Sequence, residues 1–270
     1  MDKGRFPEID LVRGLAIVGM VAYHVVFDLV LVDLVELSLS VRWFDFLGKT
    51  TAGTFFVVAG TSLYISYLRG RRVKDSGTEL FGKYLLRGVK LLTWGFIISG
   101  LTSLFFPDAV IVFGALHFIG VSVFLGYLLL RFTYGLRRIY RLTAWVGIAV
   151  LIFVLSGPVK GLSVDYGYLL PLGSVPPGYQ SLDYYPLLPW FGFVIGGLVL
   201  GDLFYPEGER ASEVYEFKNR PVEFLGRNSL WIYFLHQPII LLGLYLFFTI
   251  TGAGSRVYLP FDFLSGFLSG

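Results

Sequence analysis

The chain has 270 residues, 55% of them hydrophobic and only 15% charged, with a formal net charge of +3. A soluble domain carries about 25% charged residues, and a deficit of this size is what lipid-facing helix surfaces require. The basic residues sit in short clusters between apolar runs, which argues against nucleic acid as a partner, and the absence of cysteine excludes disulfides, thiol catalysis and Cys-ligated metals.

A bilayer core of about 30 Å needs roughly 20 apolar residues per helix. By that rule the sequence predicts an all-α, polytopic bundle of seven spans, at 9–31, 51–68, 85–106, 110–132, 142–157, 186–205 and 229–251. The first run carries Arg13 and reads as a permanent span rather than a cleaved leader. The fifth is the shortest, and the apolar tail from Val257 to Gly270 is too short to span, so an interfacial position is expected for it. The whole chain, 1–270, is read as one integral membrane domain.

Lys and Arg set the orientation. With the N-terminus in the cytoplasm, the inner segments hold Lys3, Arg5 and Arg13, then Arg69, Arg71, Arg72, Lys74, Lys83, Arg87 and Lys90. They also hold Arg131, Arg137, Arg138 and Arg141, then Arg210, Lys218, Arg220 and Arg227, leaving Arg42, Lys49, Lys160 and Arg256 outside. The longest outer loop, from Pro158 to Tyr185, is rich in Gly, Pro and Tyr and reads as either a binding loop or a passive tether.

An ionisable side chain within a span costs about 2.5–3.5 kcal/mol on insertion scales and is a functional candidate by default. The first span carries Glu8, Asp10, Arg13, His24 and Asp28. His24 and Asp28 stand one helical turn apart on a shared face. There Asp28 either orients the imidazole for general-base work or meets a substrate hydroxyl. Asp10 and Arg13 are spaced to pair near the inner surface, as a functional pair or as plain helix-end electrostatics. At about 1.5 Å per residue, His24 is expected about 22 Å above the inner start of its span, and His117 about 11 Å below the outer start of the fourth. That places both in the outer half, able to line one cavity. His236 is expected about 11 Å up the last span, deeper toward the cytoplasm, beside Pro238, whose missing N–H frees the carbonyl four residues earlier. The alternatives are a satisfied structural histidine at position 24 and a histidine bonded across helices at position 236.

Asp183 and Trp190 flank the outer entry of the sixth span, where Tyr and Trp are ordinary interfacial anchors. Gly192, Gly196, Gly197 and Gly201 read as a packing seam. Arg69, Arg71, Arg72, Arg87 and Arg227 serve topology, or form a phosphate site for an anionic donor.

The string Glu8-Ile-Asp10-Leu-Val-Arg13-Gly14, followed by Met20, His24, Phe27 and Asp28, resembles the small prokaryotic relatives of heparan-α-glucosaminide N-acetyltransferase. Its Arg13 and His24, ten residues between them, are similar to the Arg-X10-His motif of membrane-bound type-3 acyltransferases. Phe55-Phe56-Val-Val-Ala-Gly60, Gly114-Ala-Leu-His117-Phe-Ile-Gly120 and Gly226-Arg227-Asn228-Ser229 with His236-Gln237-Pro238 resemble the same family. The resemblance implies an acyltransferase that moves an acyl group, acetyl by expectation, from cytoplasmic acyl-CoA to a sugar-type acceptor at the outer side. His24 would be the base or acyl carrier, and Arg13 would position the donor or hold the helix entrance; depth and chemistry in the sequence, rather than the resemblance, add Asp28 to the catalytic set and give the contacts that follow. His117, His236, Asn228, Asp183, Trp190, Arg87 and Arg227 are the expected substrate and donor contacts. No metal is expected. The expected partners are the lipid bilayer, acyl-CoA and a sugar or glycan acceptor, with a homodimer as a further assembly and the cell membrane as location. Two other readings stay open: a transporter or flippase of a polar or lipid-linked substrate, and a membrane haem protein using two of the three histidines.

Overall fold

The computed structural model describes residues 5–32, 34–35, 41–73, 77–162, 167–210 and 219–252. Lys3, Lys74, Lys218, Arg256 and the tail from Val257 lie outside the described residues, and so does the expectation of an interfacial tail. The described residues form α1 (Pro7–Leu31), α2 (Val41–Val73), α3 (Gly77–Phe105), α4 (Ala115–Thr133), α5 (Arg138–Gly161), α6 (Leu187–Phe204), α7 (Arg220–Arg227) and α8 (Ser229–Thr251). All but α7 are long and apolar enough to cross a membrane. The protein is a multi-pass, all-helical membrane protein.

The residues fall into two units, one from 1–55 with 215–270 and one from 56–214, so that the division lies within α2. In the first unit α7 packs against the early turns of α1. The fit requires glycine on both sides: a Cβ on Gly14 would lie 2.0 Å from the Val222 carbonyl oxygen, and one on Gly226 would lie 1.9 Å from that of Asp10. Asn219 caps α7, accepting from the Val222 N–H at 3.2 Å, while the Asn219 N–H donates to Glu223 at 3.1 Å. Farther up α1, Val32 packs against Leu244 and Phe248 of α8, joined by Leu29 and Ile240.

In the second unit α2 meets α6 through another glycine pair. A Cβ on Gly60 would sit 2.0 Å from the Val194 carbonyl oxygen, and one on Gly197 would sit 2.0 Å from that of Val57. Gly192 and Gly201 also lie against neighbours, but a Cβ on Gly196 would meet open space, so Gly196 is no part of the expected seam.

Several boundaries differ from the hydropathy reading. The fifth helix, expected to be short, has 24 residues. Its polar first turn is helical because Arg138 donates from Nε at 2.6 Å, and Arg141 from Nε at 3.0 Å, to Asp202 of α6, whose carboxylate is only 1% exposed. Tyr64 donates to the same carboxylate at 3.1 Å. α2 begins ten residues before the expected span, at Val41. α4 begins at Ala115, not Val110: Gly114 holds an extended conformation before it, and the Ala115 N–H donates to Asp183 at 2.8 Å.

Between α5 and α6 the described residues are tied down rather than slack. The Leu182 and Tyr185 N–H groups donate to the carbonyls of Ala109 and Phe113, each at 3.1 Å. The Tyr184 hydroxyl donates to the Leu170 carbonyl at 2.8 Å. Burial, with Tyr179 adding to it, pushes that phenol up to about 12, so it remains a donor at ordinary pH.

Candidate functional site

The first unit brings together His24 and Asp28 of α1 with His236 and Gln237 of α8. The two imidazoles lie 4.8 Å apart, centroid to centroid, tilted by 57°. Going up α1, His24 faces His236, Asp28 meets Gln237 and Val32 packs on Leu244. The two helices therefore run parallel in register. His236 stands beside His24, not below it as the hydropathy reading placed it. The reason is α7, which occupies the flank of the first turns of α1 and leaves α8 to pair with its upper half.

Asp28 is 2% exposed and accepts from Gln237 Nε2 at 2.7 Å. That bond fixes the amide, since only its nitrogen can donate to a carboxylate, and it leaves Gln237 Oε1 buried with no partner. Asp28 is thus held by Gln237 rather than turned onto His24. His236 is 9% exposed. Its Nδ1 lies 2.7 Å from the Tyr233 carbonyl oxygen. A carbonyl only accepts, so Nδ1 carries the proton and the neutral ring presents a lone pair at Nε2. That Nε2 is buried and has no partner. His24 is less buried than His236, and the Tyr23 ring stands edge-on to it at 5.5 Å. Tyr23 in turn stacks on Phe44 at 4.3 Å.

Lower on α1, Arg13 donates to Asp10 at 2.9 Å, as its spacing predicts. Arg227 completes the group, with Nε 3.4 Å from Asp10 and a 3.2 Å bond to Glu223. Asp10 and Glu223 are both buried. Two carboxylates thus hold Arg227, which locks α7 to α1. Asn228 donates to the Phe224 carbonyl at 2.9 Å and forms the corner between α7 and α8.

The remaining site candidates belong to the second unit. His117 is 2% exposed and stands on the first turn of α4, about 3 Å beyond its start rather than 11 Å down a longer helix. Its Nδ1 accepts from the Gly114 N–H at 3.3 Å. Its Nε2 lies 3.5 Å from the Ser99 hydroxyl, which itself donates to the Ile111 carbonyl and so can accept. Gly95 makes room for the ring: a Cβ there would come within 2.9 Å of it. Both nitrogens of His117 are therefore engaged by the fold. Asp183 caps the start of α4. Trp190 packs edge-on to Tyr185 at 5.1 Å and to Phe56 at 5.6 Å. Arg87 is exposed on α3. Among the other arginines, Arg72 pairs with Glu209 at 2.6 Å, Arg69 donates to the Gly208 carbonyl at 3.3 Å, and Arg71 lies 4.6 Å over the Tyr134 ring.

Sequence reasoning did not single out Gln237 or Asp202. Gln237 stood next to His236 in the motif string, and that adjacency was the available signal. For Asp202 the signal was a carboxylate within the sixth predicted span; its partners were not legible, because its arginines are about sixty residues away on another helix.

The protein is thus a multi-pass helical membrane protein in which α1 and α8 set a half-buried histidine beside a buried one whose Nε2 has no partner. The family model described as "Heparan-alpha-glucosaminide N-acetyltransferase, catalytic" matches residues 5–238, and the chain belongs to that family. Comparison with the curated proteins and with the solved structures gives no match. The matched region contains α1 whole and extends along α8 just past His236 and Gln237.

Proposed function

We propose that this protein is a membrane acyltransferase that moves an acetyl group from acetyl-CoA on the cytoplasmic side to an amine or hydroxyl of a sugar-type acceptor on the outer side. The observation that carries the reading is the His24–His236 pair: the histidine of the Arg-X10-His string faces a buried imidazole whose tautomer leaves a basic nitrogen unused. Acyl transfer needs a base or a nucleophile at the carbonyl, and a neutral imidazole serves as either. His24 is the group that meets the acyl carbon, as base or as acyl carrier. Asp28, held by Gln237, shapes the site around it, and Arg13 secures the lower half of α1 through Asp10. The clustered Lys and Arg argue for a cytoplasmic N-terminus, with the cell membrane as the location. Family membership speaks for acetyl as the group transferred and for a glucosamine-like acceptor.

The test uses the full chain in detergent or nanodiscs. Acetyl-CoA at millimolar concentration raises the melting temperature of the wild type, free CoA serves as control, and [acetyl-14C]acetyl-CoA labels an amino-sugar acceptor. His24→Ala abolishes the labelling. A folded wild type that neither binds nor consumes acetyl-CoA refutes the proposal and favours transport of a polar substrate.

A further inference from the structure

Resting on the acyltransferase reading, we infer that His236 is the proton-holding partner of His24, and that the two histidines divide the chemistry: His24 takes the acyl group and His236 takes the proton. Three observations carry this. His236 Nδ1–H is committed to the Tyr233 carbonyl at 2.7 Å, so its only chemical capacity is the Nε2 lone pair. That nitrogen is buried without a partner in a residue 9% exposed, next to the His24 ring at 4.8 Å. His24 is the less buried of the two. An acyl group with its carrier needs room, whereas a proton does not. The more open imidazole therefore suits the acyl group and the enclosed one the proton. Gln237 Oε1, the neighbouring buried oxygen without a partner, adds a second acceptor. Two acceptors lacking a donor suit an incoming N–H or O–H and repel a carbonyl oxygen, so this end of the pair receives the acceptor's nucleophile.

The steps balance. The free ring nitrogen of His24 attacks the thioester carbonyl carbon, a C–N bond forms and the C–S bond breaks. The N–H proton of the acylated ring passes to His236 Nε2 and from there to the departing thiolate, giving HS-CoA and neutral acyl-His24. The acceptor's nitrogen or oxygen then attacks the acyl carbon while its proton goes to His236 Nε2. The bond to His24 breaks, and the ring nitrogen left behind takes that proton back from His236. Among the described residues of the first unit, the titratable groups against His236 are His24 on α1 and Tyr233 on its own helix, and Asp28 is bound to the adjacent Gln237.

His236→Asn tests this, because an asparagine amide can still donate to the Tyr233 carbonyl but has no basic nitrogen at the Nε2 position. In nanodiscs, the expected result is a kcat for acetyl transfer reduced at least tenfold with KM for acetyl-CoA within twofold. The acidic limb of the pH–kcat profile is lost, and millimolar imidazole partly restores the rate. A wild-type kcat and pH profile in this variant overturns the proposal. An independent readout separates its failure from failure of the acyltransferase reading. In 15N-histidine spectra of the wild type, His236 is expected as the Nδ1–H tautomer, and the titration of His24 is expected to shift in His236→Asn. If wild-type protein shows no transfer, the enzymatic reading falls while the spectra still decide the pair. A His236 protonated at Nε2, or a His24 titration indifferent to His236, overturns the pairing.

Discussion

His236 and His117 are both buried histidines on membrane-spanning helices, yet they differ in what is left over. His117 accepts a backbone N–H with one nitrogen and reaches a serine hydroxyl with the other. His236 commits one nitrogen to a carbonyl and leaves the other bare beside His24. The contrast extends to the carboxylates of the two units. Asp202, in the second, is surrounded by two guanidiniums and a phenol. Asp28, in the first, is held by one amide whose own oxygen has no partner. Where polar groups in lipid are fully engaged they hold helices together. Where a buried acceptor stays open, its desolvation cost of about 1–3 kcal/mol is retained in the free protein and relieved when a donor arrives.

Substitutions can break that contrast. The largest expected effect is Asp202→Ala, which leaves Arg141 buried without its carboxylate and should cost about 3–5 kcal/mol; a denaturant titration in micelles measures it, and a change under 1 kcal/mol would mean the cluster is incidental. His24→Ala should do the opposite. Acetyl transfer falls about a hundredfold or more, while the melting temperature stays close to that of the wild type; a collapse in stability would make His24 a structural residue. Gly226→Ala drives a methyl into the Asp10 carbonyl and should destabilise by about 1–3 kcal/mol, visible as a lowered melting midpoint; an unchanged midpoint would show that α7 can shift along α1. The smallest effect sharpens the pair of histidines. His117→Ala should cost about 1–2 kcal/mol of stability through the Gly114 N–H left unpaired, with kcat retained in the folded fraction. A large loss of kcat at full stability would move His117 from scaffold to site.

Much of this was legible in the chain itself. Seven apolar runs predicted seven spans because a bilayer demands length and hydrophobicity, both local properties. Asp10 and Arg13 pair as their spacing predicted, because a turn of helix is enough to bring them together. His24 stood out because an ionisable group in an apolar run is costly wherever it sits. The ends of the helices were less legible. The start of α4 is decided by Asp183, 68 positions from the N–H it caps. The start of α5 is decided by Asp202, about sixty positions beyond its arginines.

Composition and periodicity thus determined that the protein lies in a membrane, how many times its helices can cross and which side chains are out of place there. Only the tertiary structure decided which of those side chains have found partners. That decision depends on helix register, and register here is set by close backbone contacts at Gly14 and Gly226, together with α7 along the first turns of α1. These lift His236 to the height of His24 and turn Asp28 to Gln237. Hydrogen bonds are short-ranged, so a shift of one turn would have given each of these residues a different neighbour, and hydropathy, which averages over many residues, carries no record of such a shift.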